Sequence, residues 1–119
     1  MERWQTQLRL RIRGIPWRVK VGFDYEWKAW LLAYDITETD PAEFLKLDID
    51  RQVIILAYGA AAWHLMKHGK NVYFTPEDIA EALLRATKEE NNQLVAAMAY
   101  ARWPEWMRQV KNDKKKEET

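Results

Sequence analysis

Two runs of alternating residues open the chain, with Gly14-Ile15-Pro16 between them. Leu8, Leu10 and Ile12 fall on one side of the first run; Trp17, Val19, Val21 and Phe23 fall on one side of the second. Side chains alternate across a strand, so this period predicts a β-hairpin over residues 6–23 with one apolar face, on which Trp17 is expected to point inward. The other face is cationic, with Arg9, Arg11 and Arg13 meeting Arg18 and Lys20. Beyond Phe23 the period becomes helical. Asp24, a capping residue type, precedes Trp27, Trp30, Leu31 and Tyr34, whose helical spacing predicts a helix ending near residues 35–39. Asp40-Pro41 puts a cap before a proline at the first helical position and predicts a short helix from Ala42 to Leu47. A central helix is expected from Asp50 to His68, stopped by Gly69. Its small residues, Ala57, Gly59, Ala60, Ala61 and Ala62, permit close approach of neighbours, and Val53, Ile54, Leu56, Trp63 and Leu65 supply bulk.

Thr75-Pro76-Glu77-Asp78 has a hydroxyl cap, a proline at the first position and acids facing the positive end of the helix dipole. It predicts a helix to about Ala86 that buries Ile79, Ala82 and Leu83. A last helix begins near Lys88, with Leu94, Val95, Met98 and Ala101 on one side, and Trp103-Pro104 breaks or kinks it. Glu105 to Val110 can add one turn that groups Trp106, Met107 and Val110. The mixed-charge segment Lys111 to Thr119 has no apolar residue and is expected to be disordered. The predicted fold class is α+β and mostly helical: an amino-terminal two-stranded hairpin packed on a bundle of four or five helices, in one globular domain over residues 1–110.

Composition agrees with that architecture. At 119 residues the chain suits one domain with one core, and its 48% hydrophobic and 31% charged residues are those of a globular protein. The 19 basic and 18 acidic residues nearly cancel, whereas a dedicated nucleic-acid binder relies on a large basic excess. Cysteine is absent, which excludes disulfides and thiolate metal sites. Met1-Glu2-Arg3-Trp4 does not read as a secretory signal, and the longest apolar run, Val53 to Met66, is too short to span a bilayer. A soluble intracellular protein is expected.

Catalytic signatures are sparse. His64 and His68 lie four apart on a helix, the spacing at which two imidazoles share a metal, but the acid of H-E-x-x-H is missing and the sequence offers no evident third ligand. They read as a half-buried and a helix-end histidine, and no metal or other cofactor is expected. Neither serine nor cysteine occurs, which removes the commonest activated nucleophiles, and Glu89-Glu90 and Glu117-Glu118 sit in polar segments where nothing would raise a carboxyl pKa. No enzyme is expected.

Two surfaces remain as candidates for partner binding. Five like charges on two paired strands repel one another, so Arg9, Arg11, Arg13, Arg18 and Lys20 suit an acidic protein surface or peptide; they also suit a solvated face that deters edge pairing. Nucleic acid fits this face less well, because stacking aromatics alternate to the other side. Seven tryptophans are many for one small core. Trp17, Trp27, Trp30 and Trp63 are expected inside. Trp4, Trp103 and Trp106, with Met107, either form an exposed aromatic patch of the kind enriched at binding hot spots or close the end of the bundle.

The succession of Leu8-Arg9-Leu10-Arg11-Ile12-Arg13-Gly14-Ile15-Pro16-Trp17-Arg18-Val19-Lys20-Val21-Gly22-Phe23, a helix with Trp30-Leu31, Leu56-Ala57-Tyr58-Gly59-Ala60-Ala61-Ala62-Trp63-His64, Lys67-His68-Gly69 and Phe74-Thr75-Pro76-Glu77-Asp78-Ile79 resembles the tail assembly chaperones of long-tailed bacteriophages over about residues 6–103. These are small proteins encoded between the major tail protein and the tape measure protein. The resemblance implies a non-enzymatic role in the bacterial cytoplasm: coating the tape measure protein, recruiting major tail tube subunits, possible self-association, and departure before the virion is complete. It also implies a longer form made by translational frameshifting, with which Lys114-Lys115-Lys116 is compatible. Trp4 and the Trp103-Pro104-Glu105-Trp106 segment have no counterpart in the family pattern. A nucleic-acid-associated or regulatory module using the same basic face is the alternative.

Overall fold

The computed structural model describes residues 2–38, 41–44 and 46–102. An antiparallel hairpin of β1 (Gln5–Arg11) and β2 (Arg18–Asp24) leads into α1 (Trp27–Thr37), the single-turn α2 (Pro41–Phe44), the long α3 (Ile49–Lys67), α4 (Pro76–Arg85) and α5 (Lys88–Ala99). The fold is α+β and mostly helical, as the hydrophobic pattern predicts. Pairing sets Leu8 opposite Val21 and Leu10 opposite Val19, with Arg9 opposite Lys20 and Arg11 opposite Arg18 on the outer face. Leu8, Leu10, Ile12, Val21 and Phe23 are buried against the helices, and the arginines between them are exposed. Gly14, at φ 86°, supplies the left-handed turn residue between the strands.

The core lies between the hairpin's inner face and α3, which packs against α1, β2 and α4. Small residues decide the α1/α3 contact. A Cβ built on Gly59 would fall 2.1 Å from the carbonyl oxygen of Ala29, so the two helices touch backbone to side-chain position there. Ala29, Ala33, Ala57, Ala60 and Ala61 are buried around this crossing. α1 consequently turns Ala29, Trp30 and Ala33 inward. Trp27, expected in the core, is 44% exposed, and Leu31 and Tyr34 on the same helix are 37% and 39% exposed. Trp17 is a second correction, at 65% exposure. It follows the strand alternation but sits at the hairpin tip, before the first residue of β2. Trp30 is buried and Trp63 is half-buried, as the pattern requires.

The helix ends are set locally. α4 begins with a complete capping box: the Asp78 amide donates to the Thr75 hydroxyl at 3.1 Å, and the Thr75 amide donates to the Asp78 carboxylate at 2.9 Å. Thr87 and Glu90 repeat that box at the start of α5, an arrangement the sequence reading missed. Ile79, Ala82 and Leu83 of α4 are buried, and α5 buries Leu94 and Ala97 while Val95, expected on the inner face, is exposed. α3 begins one residue before the expected Asp50, at Ile49, and Asp48 caps it, accepting the Arg51 amide at 2.9 Å. At its other end His68 is the cap residue and Gly69 follows at φ 71°. The expected cap Asp40 lies outside the described residues. α5 ends at Ala99, before Trp103-Pro104, and the expectations for residues 103–119 lie outside the described residues as well. Among the described residues no helix is long and apolar enough to cross a membrane.

Candidate functional site

The strand register places the five expected cations on the outer side and tip of the hairpin, all exposed. Their surroundings differ. Arg13 reaches Glu81 of α4 at 3.3 Å, Arg18 reaches Glu90 of α5 at 3.9 Å, and Arg11 donates to the Pro16 carbonyl at 3.3 Å. Glu90 is held below the ordinary carboxylate range, first by the Thr87 amide hydrogen bond, then against some desolvation by the Thr87 hydroxyl and the Arg18 charge. Arg9 and Lys20 face each other across the strands, and among the described residues neither forms an ion pair. Exposed pairs such as Arg13–Glu81 contribute little to stability. The mutual repulsion of Arg9 and Lys20 is therefore left without a close internal counter-charge, which suits an acidic partner.

A second surface comes from the rotation of α1. Trp27, Leu31 and Tyr34 lie at i, i+4 and i+7 and form an exposed apolar row, and Trp30 stacks on Tyr34 at a 5.6 Å centroid distance. Lys28 sits beside this row with its ammonium 4.6 Å from the Trp63 ring centroid, a cation–π contact. Of the other expected aromatic patch, only Trp4 falls among the described residues. Trp4 is half-buried against the core, with the Arg102 guanidinium 5.0 Å from its ring centroid, while Trp103, Trp106 and Met107 lie outside the described residues.

The structure also builds a polar cluster that no sequence signal announced. Asp24 does not cap α1; Glu26 occupies that position and makes no side-chain cap bond. Asp24 is instead buried to 1% exposure at the end of β2. Its Oδ2 meets His64 Nδ1 at 2.7 Å and Lys67 Nζ at 3.1 Å, and Gln5 donates to its Oδ1. Lys67 also reaches Glu26 at 3.4 Å, and the Trp63 indole donates to the same Glu26 carboxylate. Burial pushes the Asp24 carboxyl up, but the hydrogen bonds from His64, Gln5 and Lys67 and the Lys67 charge outweigh it and leave the pKa below the ordinary value. For Lys67, desolvation acts downward and the two carboxylates raise the pKa overall. The local clue was Asp24 itself, an acid between Phe23 and Tyr25; its partner His64 lies 40 residues away and Gln5 lies 19 away.

No family model, curated protein or solved structure matches this chain.

Proposed function

We propose that this chain is a tail assembly chaperone of a long-tailed bacteriophage or prophage. In this role it is not an enzyme; it holds the tape measure protein and recruits major tail tube subunits in the cytoplasm of the infected or lysogenic host, and is absent from the mature virion. The observation that carries the proposal is the exposed Trp27-Leu31-Tyr34 row on α1. Anchors at i, i+4 and i+7 are the means by which one helix binds another, and a tape measure protein is a long helical client. Such contacts are reversible, as a chaperone that leaves the finished tail requires. The cations Arg9, Arg11, Arg13, Arg18 and Lys20 offer a separate contact for acidic patches on tube subunits, and the apolar character of Trp103, Trp106 and Met107 suits them as further client contacts.

The two surfaces are tested separately. Leu31→Glu, an exposed position, should weaken capture of the tape measure protein without unfolding the domain. The triple change of Arg9, Arg11 and Arg18 to glutamate should abolish binding of tube subunits, and unchanged binding removes the hairpin from the mechanism. The alternative, a nucleic-acid-associated module, predicts binding to DNA or RNA that falls steeply with salt, whereas capture through the α1 row persists.

A further inference from the structure

The two histidines at the carboxy-terminal end of α3, His64 within it and His68 capping it, acquire in three dimensions the third ligand that the sequence lacked. His64, in the last turn of α3, and His68, the cap residue that follows it, have ring centroids 4.8 Å apart. Asp24, at the end of β2, brings a buried carboxylate to the same place, and one donor atom from each of the three residues lies within 4.8 Å of the others. We propose that Asp24, His64 and His68 form a binding site for a divalent transition-metal ion of the zinc type, which ties the end of the hairpin to the carboxy-terminal turn of α3. This site is independent of the chaperone assignment.

Donor chemistry selects the ion. Two imidazoles and one carboxylate suit zinc, cobalt or nickel, whereas calcium and magnesium take oxygen ligands only. Zinc bonds of about 2.0–2.1 Å in tetrahedral geometry place neighbouring ligand atoms about 3.3 Å apart. His64 Nδ1 and Asp24 Oδ2, at 2.7 Å, need to open by a fraction of an ångström. The remaining closure falls to His68, an exposed side chain at the helix cap that meets the His64 ring edge-on. The Nε2 edge of the His64 ring abuts Gly22, where an added Cβ would come within 2.5 Å of it, so Nδ1 is the nitrogen turned to the carboxylate. With a solvent-facing fourth position left to water, three protein ligands complete the set.

Charge favours a dication as well. Asp24 and Glu26 bring two negative charges to the cluster and Lys67 one positive, a net −1 from these three groups. Lys67 is the competitor, since its ammonium lies 3.1 Å from the carboxylate oxygen that would bind the metal. It has an alternative partner in Glu26 and can yield. A consequence distinguishes a metal site from a merely structural ion pair: removing the lysine charge must strengthen metal binding.

The test is titration of chelator-stripped, desalted protein with zinc against a chromophoric competitor, with cobalt absorption spectra as an independent readout of coordination. We expect one zinc per chain with micromolar or tighter affinity and a four-coordinate cobalt spectrum. His68→Ala, whose side chain is exposed and whose capping bonds come from its backbone, should keep the fold and lose more than about tenfold in affinity. Lys67→Met should bind zinc several-fold more tightly than the parent. Absence of stoichiometric zinc binding at micromolar concentration overturns the proposal, as does unchanged affinity in His68→Ala. Weaker binding in Lys67→Met, in a variant shown to be folded by circular dichroism, also overturns it.

Discussion

Replacing Gly59 by alanine sets two effects of opposite sign against each other. Helix propensity alone favours the alanine by about 1 kcal/mol at an interior position. The structure opposes it, because the new Cβ would lie 2.1 Å from the Ala29 carbonyl oxygen and 3.0 Å from its carbon, both backbone atoms of α1. Ordinary contact begins near 3.4 Å, so the helices must separate by about 1.3 Å, the difference between 3.4 and 2.1. No side-chain rotation relieves a backbone clash. Overpacking a tight core costs about 1–3 kcal/mol and can cost more where backbone must move. Separation here also loosens Ala29, Ala33, Ala57, Ala60 and Ala61, none of which can extend to refill the gap. The steric cost should win, leaving a net loss of about 2 kcal/mol, roughly a thirtyfold shift in the folding equilibrium. Urea unfolding followed by tryptophan fluorescence and circular dichroism should show a lower midpoint at unchanged slope. Gly69→Ala calibrates the result: that residue has φ 71° and open space around it, so only about 1 kcal/mol of stability is lost, to the backbone strain the alanine introduces. Equal or greater stability in Gly59→Ala would refute the close crossing of α1 and α3.

Four further outcomes follow from the packing and charge. The Tyr25 hydroxyl is buried with no hydrogen-bond partner among the described residues, and burial drives its pKa far up, so Tyr25→Phe should stabilise the fold by about 1 kcal/mol in the same unfolding assay. In the presence of a chelator, the lowered pKa of Asp24 means that its contribution is present above the unfolded carboxyl value, near pH 4, and is lost as pH falls through the folded value. The raised pKa of Lys67 places the complementary loss on the alkaline side, above about pH 10.5, and Lys67→Met should remove that alkaline decline. Arg9→Glu opposite Lys20 converts a repulsive cross-strand pair into an attractive one; thermal unfolding should show a gain of about 0.2–1 kcal/mol even as binding of acidic partners weakens.

Local determinants of the fold were legible in the chain. The hairpin alternation and the Thr75-Pro76 start depend on residues a few positions apart, and both occur where the pattern puts them. Orientation was harder to read. The helical spacing of Trp27, Leu31 and Tyr34 identifies one face of α1 but not which face meets α3; that choice belongs to Gly59, which admits Ala29 rather than a tryptophan. Trp17 shows the same limit in the sheet, since alternation assigns a side but not the point at which the core ends. Asp24 had the local appearance of a helix cap, and only the docking of β2 on α3 converts it into a buried acid paired with His64 and Lys67. The cationic hairpin face was readable because it depends on alternation alone. Its inequality was not, because Glu81 and Glu90, which occupy Arg13 and Arg18, come from α4 and α5.

Co-expression with the tape measure protein encoded in the same genome tests the central claim most directly. The account predicts that this chain keeps the tape measure protein soluble and co-purifies with it at moderate and high salt, and that Leu31→Glu loses the complex while remaining folded. A tape measure protein that aggregates equally with and without this chain, with no complex recovered at any salt concentration, would contradict the chaperone assignment.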